Sequence, residues 1–310
     1  MIITPENLKA LQTGFRTALF LRIKEYMPLY QRFSMEIPSM RSSETYGDMS
    51  PIAGMRRWLG DRYIHNLKTK AFEVINEQFE LTVSVARTDI EDDNLGLYTS
   101  RFQEIGDQAA MLPDNLFFEA LLQGTTKTSY DGVPFFSTSH PVNGTTVSNY
   151  TSGSEPVWYL FDLSKVTRPF FFQNRQDTRF VSLTNPNDPD VFYKDKFVYG
   201  VDRRGAIGYS AWQLAYRSND VLTVDTFKAA RLAMMNITDD YGRPLNIVPT
   251  VLMYHPDIEE DALKILSTSS LTTVTVDGNG TTTTTEDNIW RGKAEPIMAT
   301  QLIRTSFLGN

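Results

Sequence analysis

Residues 41–86 read RSSETYGDMSPIAGMRRWLGDRYIHNLKTKAFEVINEQFELTVSVA, and the second part of this stretch is strongly patterned. Apolar residues occupy alternate positions there, namely Ile75, Phe79, Leu81, Val83 and Val85. The residues that alternate with them are polar: Asn76, Gln78, Glu80, Thr82 and Ser84. Because successive side chains of a strand point to opposite faces, this pattern predicts a strand with one buried and one solvated face.

The first part of the same stretch, residues 42–66, is irregular. Glycine and proline residues are interspersed with aromatic and charged ones, including Tyr46, Arg56, Arg57, Trp58, Asp61, Arg62 and Tyr63. An irregular stretch this long is uncommon inside a compact domain and is often functional. An isolated hairpin is only marginally stable, and its edges are open to pairing. We therefore expect this excursion to lie on another subunit.

The chain opens with a predicted amphipathic helix. Thr4 suits the N-cap, and Pro5 suits the first helical position. Apolar residues then recur every three or four positions, at Leu8, Leu11, Phe15, Leu19 and Ile23. Pro28 is expected to end the helix, and the apolar stripe must be buried against the same domain or a neighbouring subunit.

A second, longer helix is predicted over Ser100–Gln123. Ser100 and Gln103 form a capping-box pattern, and Gly124 suits a left-handed C-terminal cap. At ~1.5 Å per residue this helix would be about 36 Å long. Pro113 is expected to kink it or split it in two.

The remainder of the chain predicts a mixture of strands and helices, so the fold class is α+β. The predicted strands are Val157–Leu163, Phe197–Tyr216, Val248–Tyr254 and Glu295–Ile303, and the predicted helices are Asp225–Met235 and Asp257–Leu266. Residues 185–189 predict a turn, and the glycines of Gly205–Gly208 predict a strand distortion. A threonine-rich segment, Leu271–Glu286, predicts an exposed hairpin around an Asp-Gly turn.

Composition argues against several classes of protein. The chain has 310 residues, a net charge of −7 and no cysteine, which disfavours a DNA-gripping protein and rules out thiol chemistry. The three histidines, His65, His140 and His255, do not have metal-ligand spacing, and the acidic run Asp89–Asn94 lacks the ligand pattern of a calcium loop. We predict no cofactor, no metal, no membrane span and no enzymatic activity.

Two alternatives from other classes remain open at this point. A soluble β-rich hydrolase could assemble an active site from residues scattered along the chain, and would be a discrete monomer with a carboxylate-lined cleft. A host-binding tail module would show internal repeats, and we find no repeat period.

A set of short motifs spans the whole chain in a fixed order. They are TYG at 45–47, RWLGDR at 57–62, FELTV at 79–83, DIEDDNLG at 89–96, YDG at 130–132, HPV at 140–142, WYL at 158–160, YGVD at 199–202 and GRPL at 242–245. With these motifs the chain resembles the Mu-like phage major head subunit family. The resemblance implies the capsid fold shared by tailed phages and encapsulins.

In that fold an N-terminal arm precedes an extended E-loop, a P-domain with a spine helix, and an A-domain. The resemblance implies an arm at 1–40, the E-loop at 41–86, a P-domain at 87–220 with its spine near 100–123, and an A-domain at 221–310. The chain is expected to cross between the last two.

The resemblance also implies a virion protein that assembles in the bacterial cytoplasm into pentamers and hexamers of an icosahedral head around double-stranded DNA. Implied partners are other copies of the chain, a separate scaffolding protein, a portal, a head maturation protease, a decoration protein and DNA held by weak wall contacts. We expect non-covalent stabilisation of the shell. The expected contacts between subunits are Arg56, Arg57, Trp58, Asp61, Arg62, Ile75, Phe79, Leu81 and Val83.

Overall fold

The computed structural model describes residues 4–47, 49, 51, 72–92, 95–185, 187–277 and 280–303. Within them the helices are α1 (Pro5–Glu25), α2 (Tyr30–Phe33), α3 (Arg87–Glu91), α4 (Leu95–Gln123), α5 (Pro189–Lys194), α6 (Val224–Met235) and α7 (Glu259–Leu266). Single 3-10 turns cover Trp212–Leu214, Pro256–Ile258 and Thr300–Ile303.

The strands are short except for two of 14 residues each. They are β1 (Ser34–Pro38), β2 (Ser43–Tyr46), β3 (Phe72–Ile75), β4 (Glu77–Ala86), β5 (His140–Val142), β6 (Thr145–Val147), β7 (Tyr150–Thr151), β8 (Trp158–Phe161), β9 (Phe170–Leu183), β10 (Lys196–Tyr209), β11 (Ala215–Ser218), β12 (Val251–Tyr254), β13 (Ser270–Asp277), β14 (Gly280–Asp287) and β15 (Glu295–Met298).

Two larger sheets carry the fold. One has the strand order β1-β9-β10-β4, and the other has the order β15-β12-β8-β11-β7. Strands from 150–161 and 215–218 lie in the second sheet beside strands from 251–254 and 295–298. The chain therefore crosses between the two sheets more than once, and the division into an arm, an E-loop, a P-domain and an A-domain remains a prediction.

Helix α1 begins and ends where its sequence predicts. The Thr4 hydroxyl accepts a hydrogen bond from the Asn7 amide at 3.2 Å, and the helix ends at Glu25, before Pro28. Its apolar stripe packs inside the same chain, because Phe15 stacks on Phe102 of α4 with 4.0 Å between ring centroids. The sequence left open whether the apolar stripe of α1 is buried in its own domain or against a neighbouring subunit. The structure shows that it is buried in its own domain.

The connection from α1 to β1 is fixed by one buried carboxylate of α4. Asp114 accepts hydrogen bonds from the Tyr26 hydroxyl at 2.6 Å and from the amides of Leu29 and Tyr30 at 3.1 and 2.7 Å. The last two bonds satisfy donors at the start of α2, which would otherwise be unpaired.

Helix α4 is longer than predicted. It begins at Leu95 rather than Ser100, so the Ser100–Gln103 pair lies inside the helix and does not cap it. Pro113 does not split the helix, which continues to Gln123. Burial explains this tolerance: Phe117, Phe118 and Leu121 are fully buried, and this packing holds the turn after the proline.

The long strand β9 was not predicted from the sequence, and all four predicted strands are shorter than expected. The predicted strands Val157–Leu163 and Val248–Tyr254 are reduced to β8 and β12. The predicted strand Phe197–Tyr216 is β10, a 3-10 turn and β11 in succession, and the predicted strand Glu295–Ile303 ends at Met298. The predicted turn at 185–189 runs into α5. The threonine-rich hairpin is confirmed as β13 paired with β14.

The strand distortion predicted for Gly205–Gly208 lies at residues 202–205, at and before the start of that segment, and Gly205 to Gly208 themselves pair regularly with β9. The pairing of β9 with β10 shifts register between Asp202 and Arg204 and again between Arg204 and Gly205. A Cβ atom at Gly208 would overlap the ring of Phe171. Glycine at this position therefore leaves room for Phe171, which anchors the excursion described next.

Candidate subunit interface

The excursion predicted at 41–86 leaves the body of the molecule through a two-stranded stem. Strand β2 pairs antiparallel with β3, from Ser43 opposite Ile75 to Tyr46 opposite Phe72. The five predicted contact residues Arg56, Arg57, Trp58, Asp61 and Arg62 lie beyond this stem, outside the described residues. The structure shows how the two strands of the stem are attached to strand β9.

Three aromatic rings hold the end of the stem on strand β9. Tyr46 lies 4.6 Å from Phe171 and 5.8 Å from Phe72, measured between ring centroids, and Phe72 lies 6.2 Å from Phe171. The Tyr46 hydroxyl also donates a hydrogen bond of 2.7 Å to the side-chain oxygen of Gln173, which is fully buried. Burial, and then the charge of Glu44, raise the pKa of Tyr46 to about 12, so the hydroxyl remains a donor at neutral pH.

Gln173 joins both strands of the stem. Its oxygen accepts the Tyr46 bond from β2, and its amide nitrogen donates to the Val74 carbonyl of β3 at 3.3 Å. The buried side chain of Gln173 thus links β2 and β3 where the stem leaves the body of the molecule.

The base of the stem is held by a polar turn. The Glu44 carboxylate accepts hydrogen bonds from the amides of Met40 and Arg41 at 2.9 and 3.1 Å and from the Ser39 hydroxyl at 3.1 Å. The bond from the Met40 amide, followed by that from Arg41, lowers the pKa of Glu44. Asn76 closes the turn from the other strand, donating to the Ser39 hydroxyl oxygen at 2.8 Å.

The last ten residues of the predicted excursion, which form β4, belong to the main sheet of the same chain. Strand β4 pairs with β10 along its whole length, from Glu77 opposite Gly205 to Ala86 opposite Lys196. The alternation predicted from the sequence is present: Phe79 and Val83 are half-buried and Val85 is 2% exposed.

The remaining predicted contact residues are open to solvent in the single chain. Ile75 is 65% exposed and Leu81 is 37% exposed. Ile75 lies at the base of the stem and Leu81 lies on β4, and we expect a second subunit to cover both. Sequence reasoning did not find Phe171 and Gln173, because it did not recognise the strand that carries them.

A buried histidine lies beside a carboxylate, an arrangement that also occurs in catalytic sites. His140 is fully buried, stacks on Trp212 with ring centroids 3.8 Å apart, and has Nδ1 2.6 Å from the Asp131 carboxylate. The Asn149 amide nitrogen donates to three backbone carbonyls, so its oxygen faces His140 Nε2 at 3.1 Å. Both ring nitrogens are therefore engaged in internal bonds, which is typical of a structural histidine.

Other classes of site find little support in the described part of the chain. Within those residues no group of three or more His, Asp or Glu side chains could hold a metal ion. None of the helices described there is long and apolar enough to cross a membrane.

Comparison with known proteins decides the family. The profile of the Mu-like prophage major head subunit gpT matches residues 8–302. The chain belongs to the Mu-like major head subunit family. It is a major capsid protein of the tailed-phage type and a component of the virion, with the α+β fold of phage major capsid proteins.

Two relatives illustrate the similarity in sequence. The major capsid protein of Escherichia phage Mu is 33% identical over 313 residues, covering 97% of this chain and 100% of the relative. The Mu-like prophage FluMu major head subunit of Haemophilus influenzae is 34% identical over 276 residues, covering 85% and 90%.

Two solved structures illustrate the similarity in fold. The chain in the procapsid of bacteriophage JBD30 has a TM-score of 0.78 and 35% identity, covering 86% of this Mu-like head subunit and 93% of the JBD30 chain. The chain in the JBD30 capsid has a TM-score of 0.77 and 26% identity, covering 97% and 100%.

Proposed function

We propose that this chain assembles into pentamers and hexamers that form an icosahedral head enclosing double-stranded DNA. The observation that carries the proposal is the family match over residues 8–302, together with the fold shared with chains of a phage procapsid and capsid. The role is structural rather than catalytic, and the shell is held together without covalent links.

In this proposal the excursion is the main connection between neighbours. Its stem is fixed to the body by Gln173, Phe171 and the Glu44 turn, so the direction in which the stem leaves the body is defined. Exposed Ile75 and Leu81 then offer apolar area for a neighbour to cover. Each buried Å² contributes ~25 cal/mol, and the same contact recurs at every subunit of the shell.

The proposal includes the partners that a head needs. A separate scaffolding protein, a portal and a head maturation protease act during assembly in the bacterial cytoplasm, and packaged DNA meets a wall of net charge −7 that binds it weakly. A decoration protein is proposed because one solved JBD30 capsid, with a TM-score of 0.74 and 26% identity, is described as decorated with minor capsid protein trimers.

Negative-stain electron microscopy of the purified chain, with and without its scaffolding protein, tests the proposal. Closed shells, tubes or rings of five and six subunits are the expected result. A monodisperse monomer under both conditions would contradict the proposal and favour a soluble enzyme.

A further inference from the structure

The threonine-rich hairpin is a separate sheet of two strands. Strands β13 and β14 pair with each other over eight positions, from Ser270 opposite Asp287 to Asp277 opposite Gly280. Among the described residues, no other strand pairs with either of them. In such a sheet about half of the backbone N–H and C=O groups of each strand point away from the partner strand. Both outer edges of the hairpin are therefore open to pairing with a further strand.

The edges of the two larger sheets carry features that discourage pairing with another chain. The four-stranded sheet ends in β1 and β4, and the five-stranded sheet ends in β15 and β7. Strands β1 and β15 each contain one glutamate and one proline, β4 contains two glutamates, and β7 is only two residues long. Charged side chains, prolines and short strands are the usual means by which proteins keep sheet edges from pairing.

The hairpin lacks these features. Residues 271–285 contain one charged residue, Asp277, and no proline, although each strand is eight residues long. The same stretch contains eight threonines and two valines, whose β-branched side chains favour extended structure. Ser270 and Thr284–Asp287 are exposed, so the described part of the body leaves the base of the hairpin uncovered. Long edges of this composition pair readily with other strands, and we expect them to be covered in the assembled protein.

The base of the hairpin is fixed to the end of α7. The side-chain amide of Asn288 donates hydrogen bonds to the carbonyls of Ile265 and Thr268 at 2.8 and 3.1 Å. Its backbone amide donates to the Ser269 carbonyl at 2.9 Å, and Asn288 is itself buried. The two strands therefore leave every copy of the subunit from the same place. A fixed starting point lowers the entropic cost of a contact that is repeated between copies.

A second copy of the chain is the occupant that matches these edges. Its hairpin offers strands of the same length and the same nearly uncharged composition. Copies related by a rotation axis make the same contact at every step, and such contacts close into a ring. In a ring β13 of one copy lies beside β14 of the next, and the two strands run antiparallel. Pairing across a two-fold axis would instead cover one edge of each hairpin and leave the other open.

We propose that the hairpins of neighbouring copies pair edge to edge, β13 with the next β14, in a closed ring around the axis of each pentamer or hexamer. The product is an up-and-down barrel with two strands from each subunit, and it has no free edge. The hairpin then stabilises the ring of subunits rather than the single subunit. This inference rests on the proposed function and assigns the hairpin to contacts within one ring.

Disulfide formation between two single-cysteine variants tests the pairing, because the chain has no cysteine of its own. Shells are assembled from an equal mixture of Thr273→Cys subunits and subunits with one cysteine at Thr282, Thr284 or Glu286. Thr273 is opposite Thr284 inside the hairpin, so these three positions cover a shift of two residues in either direction between copies. After oxidation, at least one mixture should give a covalent dimer on a non-reducing gel.

Each variant assembled alone is the matched control. In the ring, identical residues of adjacent copies are separated by two strand spacings, about 10 Å, which is too far for a disulfide. Shells of a single variant should therefore remain monomeric on the gel. A mixture of Thr273→Cys with Val166→Cys, whose thiol replaces a residue 95% exposed in another loop, should also remain monomeric.

The outcomes separate this proposal from the one it rests on. Normal shells that give no dimer in any mixture would overturn the pairing and leave the capsid role intact. Dimers in shells of a single variant would overturn the ring, because identical edges would then meet across a two-fold axis. An equal yield of dimer with Val166→Cys would overturn the specific contact. Failure of the unmodified chain to form shells or rings under the same conditions would overturn both proposals.

Removal of the hairpin provides an independent readout. Shells of a variant in which Thr272–Thr285 is replaced by a short Asn-Gly turn should release subunits at a lower urea concentration than unmodified shells. The unassembled subunit of the same variant should unfold at an unchanged urea concentration. Equal resistance of the two kinds of shell, or a loss of stability confined to the single subunit, would contradict the proposal.

Discussion

At the scale of single residues, Gly106 sets how closely the first helix approaches the spine helix. A Cβ atom at this position would lie 2.6 Å from the Leu19 carbonyl oxygen of α1. One turn away, Arg22 donates two hydrogen bonds to the Asp107 carboxylate at 3.0 and 3.2 Å, and these bonds depend on the same spacing.

Gly106→Ala should therefore destabilise the subunit. Forcing a methyl group against backbone costs ~1–3 kcal/mol, which outweighs the helical preference of alanine over glycine, ~0.5–1 kcal/mol. Urea unfolding of the unassembled subunit measures the difference. Gly14→Ala is the matched control, since no heavy atom lies within 4 Å of a Cβ there and the change should stabilise. A stabilised Gly106→Ala variant would show that the two helices are not closely packed.

His140 is the second residue whose role can be tested alone. His140→Phe keeps a ring on Trp212 but removes both nitrogen atoms, so the largely buried Asp131 carboxylate loses its 2.6 Å contact. Leaving a buried acceptor without its partner costs ~1–3 kcal/mol, which urea unfolding would detect.

The double variant His140→Phe/Asp131→Asn is the control for this prediction. It removes the carboxylate charge along with the histidine and should recover part of the lost stability. Equal stability of His140→Phe and the unmodified chain would mean that the pair contributes little.

At the scale of elements, sequence periodicity predicted the helices and strands that have one buried and one exposed face. The cap and stripe of α1 predict its bounds, and the alternation of Phe79, Val83 and Val85 predicts β4. Strand β9 was missed because both of its faces are covered at its start. Phe170 packs against Phe117 of α4 and Phe171 against Tyr46 of the stem, so Phe170, Phe171 and Phe172 are buried in succession and show no alternation. Because β9 was not predicted, Phe171 and Gln173, which hold the stem, could not be identified from the sequence.

The hairpin of β13 and β14 is expected to contribute little to the stability of the hydrophobic core. Its eight paired positions bond to each other, and its base is held by Asn288, which donates to the carbonyls of Ile265 and Thr268 at 2.8 and 3.1 Å. Among the hairpin residues whose side chains are described, namely 270, 271 and 284–287, none belongs to either hydrophobic cluster.

Replacing Thr272–Thr285 by a short Asn-Gly turn should leave the unfolding midpoint of the subunit within about 2 °C of the original, since we expect a hairpin that bonds chiefly to itself to contribute ~0.5 kcal/mol or less. Thermal unfolding followed by circular dichroism gives the result. Asn288→Ala, which leaves the hairpin but releases its base, is the contrasting variant and should lower the midpoint. A large loss of stability in the shortened variant would mean that the hairpin packs on the body.

At the scale of the whole molecule, folding and assembly depend on different residues. The described parts of the subunit bury their two clusters internally, whereas Ile75 and Leu81 remain exposed for a neighbour. A substitution within residues 52–71 should therefore leave the subunit stable and lower the yield of shells.

Trp58→Ala tests this separation. The variant should remain soluble, with an unfolding midpoint close to that of the unmodified subunit, while the yield of intact shells by electron microscopy falls severalfold. Trp290→Ala is a useful contrast, because its ring lies 5.7 Å from the buried Phe227 and its loss should lower subunit stability instead. Normal yields of shells from Trp58→Ala would remove the argument that the excursion carries assembly.

The most direct measurement is a cryo-electron microscopy map of the assembled shell, traced continuously through residues 47–71. We expect these residues to leave the stem at Tyr46 and cross to the adjacent subunit. Density that returns along the same subunit would contradict this expectation.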